Sequence, residues 1–99
     1  MALILEVTAQ EMREMLRIGN EKLDSELSAL KGAFLSDLSM AGVQQIPEGD
    51  SLSMAALRMY LRWQENYNGE AERYEKAYQG VKIAMALAGE YRGGASGAE

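Results

Sequence analysis

The chain of 99 residues contains no cysteine and no histidine, and it has only one proline, one tryptophan and one phenylalanine. Without cysteine and histidine it cannot form disulfides, use a thiol or an imidazole in catalysis, or assemble the common zinc-ligand sets. Basic residues are scarce, ten against fifteen acidic ones, which gives a net charge of −5. This balance argues against nucleic-acid recognition, which needs a basic surface, and against docking on anionic membranes.

Long hydrophobic runs and the common catalytic motifs are missing as well. The most apolar stretch near the C-terminus, residues 83–89, is far shorter than the roughly 20 residues of a membrane span. The first residues lack the features of a secretory signal, so we expect a protein that is made and kept in the cytoplasm. No phosphate-binding loop, dinucleotide fingerprint or metal-ligand spacing occurs. We therefore predict no enzymatic activity, no catalytic residue, no metal and no cofactor.

A helical hydrophobic pattern is present in four segments, and the first two lie in the acidic half of the chain. The first helix is predicted over about residues 8–17, where Thr8 and Glu11 form a capping box. The second is predicted from Glu21 to Met40, with Asn20 as its cap. Its leucines and Phe34 recur every three or four residues, a helical period that a strand cannot produce.

The third helix is predicted to be capped by Asp50 or Ser51, after the loop around Pro47, and the fourth to run from near Glu70 and end at Gly89 as its C′ glycine. The resulting fold class is all-α, with about four helices, two of them long. Residues 1–91 are predicted to form one helical domain that includes an extended N-terminal arm at residues 1–7. Residues 92–99 are predicted to be a flexible glycine-rich tail.

The third and fourth helices are apolar on more than one side. Leu57 and Leu61 lie off the main apolar face of the third helix, and Ile83 and Leu87 lie off that of the fourth. A helix that is apolar all round is buried on more than one side. Because a small domain has little room for two such helices, we expect these four residues to form a subunit interface. A tightly packed monomer is the alternative.

Two stretches resemble the head–tail connector, or head-completion adaptor, proteins of long-tailed bacteriophages and prophages. They are EMREMLRI at residues 11–18, followed by the acidic start of a long helix, and ERYEKAY at residues 72–78, leading into VKIAMALAGEY at residues 81–91. The order and spacing of these motifs match across about residues 8–91. The resemblance implies a structural virion protein without enzymatic activity, present in the host cytoplasm during assembly.

The resemblance also implies partners. Copies of the chain would form a ring beneath the portal protein, extend the DNA channel and receive the stopper or tail-completion protein, while double-stranded DNA passes without specific binding. Such a ring needs two different patches, because head-to-tail contacts are heterologous. We expect the apolar residues above on one side and the acidic second helix on the other. Tyr91 and Arg92, at the start of the tail, are the expected portal contact.

Two other classes of function compete with this interpretation. A small helix-turn-helix regulator or antitoxin would use the third helix to contact DNA, with Arg58 and Arg62 as its phosphate ligands. These arginines otherwise form a solvated strip or half of an intersubunit ion pair. A ligand-binding protein would stack a ring on Trp63, Tyr67 and Tyr74, although packing of the helix hairpin explains these aromatic residues more simply.

Overall fold

A computed structural model describes residues 3–92, and this part of the chain contains four α-helices and no strand. The helices are α1 (Ala9–Leu16), α2 (Asp24–Ala41), α3 (Ser51–Gln64) and α4 (Ala71–Leu87), with short 3-10 turns at Tyr67–Gly69 and Gly89–Tyr91. The all-α prediction is confirmed. The predicted tail lies outside the described residues, except for Arg92.

The local signals for α1 and α3 are confirmed by their first turns. The Thr8 hydroxyl accepts a hydrogen bond from the Glu11 N–H, and the Glu11 carboxylate accepts one from the Thr8 N–H at 2.8 Å. Asp50 caps α3 by accepting a bond from the Ser53 N–H at 2.9 Å. In both places a side-chain oxygen satisfies an N–H group that has no partner within the helix.

Two predicted helix ends are wrong. The Asn20 side chain accepts a hydrogen bond from the Lys22 N–H two residues later, which stabilises a turn and delays the start of α2 to Asp24. The second wrong end is that of α4, which stops at Leu87 and not at Gly89. Ala88 is extended, and Gly89 begins a 3-10 turn. The glycine that ends a helix with a positive φ is Gly42, after α2.

The core is built around α3, which contacts each of the other three helices. An aromatic cluster at its centre joins three of them. The rings of Phe34 and Tyr60 are 5.7 Å apart, and those of Tyr60 and Tyr78 are 5.1 Å apart. Trp63 packs edge-on against Tyr60. These contacts pack the inner faces of α2 and α4 against α3.

The N-terminal arm and the α2–α3 loop also contribute to the core, although neither has regular structure. Leu3 and Leu5 are buried, as is Val43 directly after α2. The Gln44 N–H donates to the Tyr91 carbonyl at 2.7 Å, which joins the loop to the end of α4. Since Asp37 contacts Tyr78 further back along both helices, α2 and α4 run in parallel and end at the same side of the domain.

Candidate functional site

The outer face of α4, formed by Gly80, Ile83, Ala84 and Leu87, is an exposed apolar strip. Tyr78 and Met85 on the opposite side of the helix are fully buried. Ile83 nevertheless leaves 58% of its surface exposed and Leu87 leaves 70%. The residues follow each other at helical spacing, so they form one continuous strip. We call this strip the α4 outer face.

The other half of the predicted subunit interface is wrong. Leu57 and Leu61 are fully buried inside the chain. The reason is the central position of α3, which packs against α1, α2 and α4 and therefore buries its apolar residues on several sides. Neither leucine reaches the surface of this fold, whereas Ile83 and Leu87 do.

Tyr91 is also misplaced as a portal contact. Its ring is 1% exposed, and its hydroxyl donates a hydrogen bond to the Asp50 carboxylate at 2.8 Å. Burial and this bond raise the pKa of Tyr91 above its ordinary value. Although burial acts in the opposite direction, the hydrogen bonds from Ser53 and Tyr91 hold the pKa of Asp50 below its usual value. Tyr91 therefore belongs to the domain, and Arg92 is the exposed residue that follows it.

All three acidic residues of α2 have neighbours within the chain with which their carboxylates interact. Asp24 pairs with Arg13 at 2.9 Å. Asp37 accepts hydrogen bonds from the Tyr78 hydroxyl at 2.6 Å and from the Lys82 ammonium at 3.0 Å. Burial, and then the bond to Asp37, raise the pKa of Tyr78. The third acid is Glu26, whose neighbour is Glu65.

Glu26 and Glu65 form a close pair of carboxyl groups between α2 and the end of α3. The hydrogen bond to Glu26, followed by burial, raises the pKa of Glu65 to about 7. The Oε2 atom of Glu65 is buried and finds no hydrogen-bond partner between residues 3 and 92. Two carboxyl groups can share a hydrogen bond only when one carries a proton. Nothing in the sequence pattern reveals this pair, because 39 positions separate the two residues.

Along one side, α2 exposes a strip of small uncharged residues, which we call the α2 outer face. The strip ends at Met40, whose side chain is 80% exposed. Its central residues follow helical spacing and are all exposed: Ser25, Ala29, Gly32 and Ser36. A Cβ atom added at Gly32 would meet no atom within 4 Å, and the same holds for Gly80 on α4. A mid-helix glycine costs up to about 1 kcal/mol relative to alanine. Packing within the chain gives no reason for either glycine.

Arg62 is not part of a solvated strip, because its guanidinium joins α1, α3 and α4. Its Nε donates to the Met15 carbonyl at 2.8 Å, and its guanidinium lies 4.4 Å from the centre of the Tyr67 ring. A further bond at 3.3 Å reaches the Tyr74 hydroxyl. Tyr67 and Tyr74 pack edge-on against each other, so these rings belong to the packing of the hairpin between α3 and α4. Arg58 is the exposed arginine of α3.

An open groove lies between the N-terminal arm, the α2–α3 loop and the first half of α3, with a volume of about 960 Å³. We call it the arm groove. Its apolar lining comes from Ile4, Leu5, Ile46, Met54 and Ala55. The acids Glu6, Glu11, Glu48 and Asp50 and one base, Arg58, stand around it. The sequence did not predict this groove, because its walls come from segments more than 30 residues apart.

The fold places the chain in the class of small four-helix α domains. No protein-family model, curated protein or solved structure matches it. Within residues 3–92, no group of three or more acidic side chains is arranged to hold a metal ion. None of the described helices is long and apolar enough to cross a membrane. The surfaces of the described chain that are open to a partner are the outer faces of α2 and α4 and the arm groove.

Proposed function

We propose that the protein is a structural assembly subunit of the head–tail connector type, which forms a ring beneath a portal protein. In that position it extends the DNA channel and receives the stopper or tail-completion protein. The observation that carries the proposal is the exposed α4 outer face. The motifs at residues 11–18 and 72–91 suggest the connector class in particular. The exposed apolar residues of the α4 outer face favour assembly, because assembly would bury them.

The α4 outer face favours contact with another protein surface on energetic grounds. Burying an isoleucine or leucine side chain completely contributes roughly 1.5–3 kcal/mol. Ile83 and Leu87 retain more than half of their surface, so most of that contribution is available to a docking partner. Ala84 lies between them and Gly80 lies one turn before them, and both permit close approach of a second backbone, because they have no bulky side chains.

A ring requires a second, different patch, and the α2 outer face suits this role. It carries no charge along its centre and no side chain larger than serine from Ser25 to Ser36. Bulky residues on α4 of one copy would pack on the flat α2 face of the next copy. Because the two patches differ, the contact is heterologous and closes into a ring when the rotation between copies allows it. This replaces the acid-based contact that the sequence suggested.

The α3 surface gives little support to the helix-turn-helix alternative. Arg62 is held by Met15, Tyr67 and Tyr74, which leaves Arg58 for phosphate contacts on this helix. Nine residues separate α2 from α3, whereas the turn of a helix-turn-helix has three or four. A DNA-binding protein usually makes many more phosphate contacts through lysine and arginine.

The proposal is tested by the mass of the particle in solution and with a purified portal protein, measured by light scattering. The wild-type chain should form ring oligomers, alone or on the portal. Leu87→Asp and Gly32→Arg should each prevent assembly while leaving the helical circular-dichroism signal unchanged. Leu52→Asp and Gln64→Arg make the same charge changes at exposed positions of α3 outside both outer faces, and they should assemble normally.

The result against the proposal is equally clear. A wild-type chain that stays monomeric at every concentration and does not bind the portal would exclude a connector. Equal loss of assembly in the α3 controls would show that any added charge disturbs the particle, and the two outer faces would lose their assignment.

A further inference from the structure

Residues 3–7 of the N-terminal arm line the arm groove, and their backbone is almost entirely without hydrogen-bond partners among the described residues. Leu3 and Leu5 point into the core, while Ile4 and Glu6 are exposed, and Ile4 leaves 72% of its surface open. This alternation has the two-residue period of a strand. Between residues 3 and 7, no backbone N–H donates a hydrogen bond, and the one carbonyl that accepts a bond is that of Leu5, from Lys31.

The opposite wall of the arm groove is similar. Ile46, Pro47 and Glu48 belong to the irregular α2–α3 loop, and the N–H groups of Ile46 and Glu48 donate no hydrogen bond within the described chain. Pro47 has no N–H group, and its carbonyl accepts a bond from the Asp50 N–H at 3.2 Å. Unpaired backbone along an extended segment is the feature that lets a peptide dock by adding a strand. The apolar floor between the two walls can accept every second side chain of such a peptide.

The charges around the arm groove restrict the peptide. Glu6 and Glu48 are exposed and have no ion-pair or hydrogen-bond partner among residues 3–92, and Glu11 and Asp50 add further negative charge. Arg58 is the one base on this rim, so the rim carries an excess of three negative charges. Complementary charge guides association and selects among partners. The same excess repels a nucleic-acid backbone.

We propose that the arm groove binds an extended segment of a partner protein in which apolar residues alternate with lysine or arginine. The segment pairs through its backbone with residues 3–7, places its apolar side chains on Ile46 and Met54, and directs its cationic ones to Glu6 and Glu48. This inference is independent of the proposed connector function, because no residue of the arm groove belongs to the α2 or α4 outer face.

The test uses fluorescence anisotropy with the full chain and three synthetic heptapeptides. The first alternates valine and lysine, the second replaces each lysine with glutamate, and the third repeats the first with N-methyl groups on alternate backbone nitrogens. The lysine peptide should bind and weaken as salt is raised. The glutamate peptide should bind at least tenfold more weakly, because the rim is acidic, and the N-methylated peptide should lose binding, because its backbone cannot pair.

Substitutions in the chain test whether the lysine peptide binds in the arm groove. Glu6→Lys/Glu48→Lys should weaken the lysine peptide by about tenfold, and Ala55→Phe, which fills the groove floor, should abolish its binding. Glu21→Lys is the control, since this exposed acid lies outside the groove, and it should leave binding nearly unchanged.

Four results would overturn the inference. The first three are no binding of the lysine peptide at millimolar concentration, equal binding of the N-methylated peptide, and equal effects of the rim and control variants. A fourth is a fall in the oligomeric mass of the chain on Ala55→Phe, since the groove would then hold a second copy of the chain. Loss of assembly in the outer-face variants has no bearing on these outcomes.

Discussion

Helices α3 and α4 have similar apolar sequences, but their apolar residues differ in burial. Both carry apolar residues on more than one side, yet Leu57 and Leu61 of α3 are fully buried, while Ile83 and Leu87 of α4 are largely exposed. The difference comes from position, because α3 lies between three helices and α4 packs at the edge of the domain. An apolar-all-round helix therefore indicates burial on several sides, and the fold decides whether another subunit is needed for it.

The largest expected effect comes from the same truncation in the two helices. Leu61→Ala should lower the free energy of unfolding by about 2–5 kcal/mol, because it leaves a cavity in the core. Leu87→Ala should change it by less than about 0.5 kcal/mol in the monomer, as surface substitutions do. Urea denaturation at low protein concentration measures both. Equal destabilisation would mean that Leu87 is buried in the chain, as Leu61 is, and that α3 and α4 do not differ in this respect.

A smaller effect separates Tyr78 on the inner face of α4 from Tyr67 in the turn before this helix. Tyr78→Phe removes the hydroxyl that donates to Asp37 at 2.6 Å, and it should lower the free energy of unfolding by about 1–2 kcal/mol. The matched change Tyr67→Phe removes a hydroxyl that has no hydrogen-bond partner among residues 3–92, so it should be nearly neutral in the same urea titration. A Tyr78 variant as stable as the wild type would show that the hydrogen bond to Asp37 does not stabilise the fold.

The end of α3 should make stability depend on pH. The pKa of Glu65 is raised from 4.5 to about 7 in the folded state, so the folded protein binds more protons than the unfolded one between these values. The stabilisation that the protonated Glu65 carboxyl gives to the folded state is therefore complete below pH 4.5 and is lost as the pH rises through about 7. Thermal unfolding followed from pH 5 to pH 8 should show a falling midpoint.

Glu65→Gln provides the control for this pH dependence. The amide can donate a hydrogen bond to Glu26 at every pH, so the decline between pH 5 and pH 8 should flatten and the variant should be the more stable protein at pH 8. A wild-type chain with the same profile as the variant would contradict the carboxyl pair.

The smallest expected effect concerns the two glycines of the outer faces. Gly32→Ala and Gly80→Ala should each raise the stability of the monomer by about 0.5–1 kcal/mol, because a Cβ has free space at both positions and alanine favours the helix. Chemical denaturation of the single variants measures this. A loss of stability at either position would reveal an internal constraint on that glycine.

The features predicted correctly from the sequence are those fixed by neighbouring residues. Thr8 and Glu11 cap α1, and Asp50 caps α3, because each cap depends on residues three positions apart. The start of α2 was missed because the Asn20 side chain forms a local turn that competes with the helix. The four-helix class followed from the hydrophobic period alone.

The candidate site was harder to predict because its residues are distant in the chain. Arg62 contacts the carbonyl of Met15, 47 positions earlier, and Tyr91 contacts Asp50, 41 positions earlier. Hydrophobic pattern shows that a residue is apolar and leaves open which neighbour covers it. For this reason Ile83 and Leu87 were placed correctly at the surface, and Leu57 and Leu61 were not.

The most direct test of the account follows the accessibility of the α4 outer face during assembly. The chain has no cysteine, so Leu87→Cys and Leu52→Cys each introduce a single reactive thiol. We predict that maleimide labels both positions rapidly in the dilute monomer, and that ring formation or portal binding protects position 87 while position 52 stays reactive. Equal labelling of the two positions in the assembled particle would contradict the central claim that the α4 outer face is a docking surface.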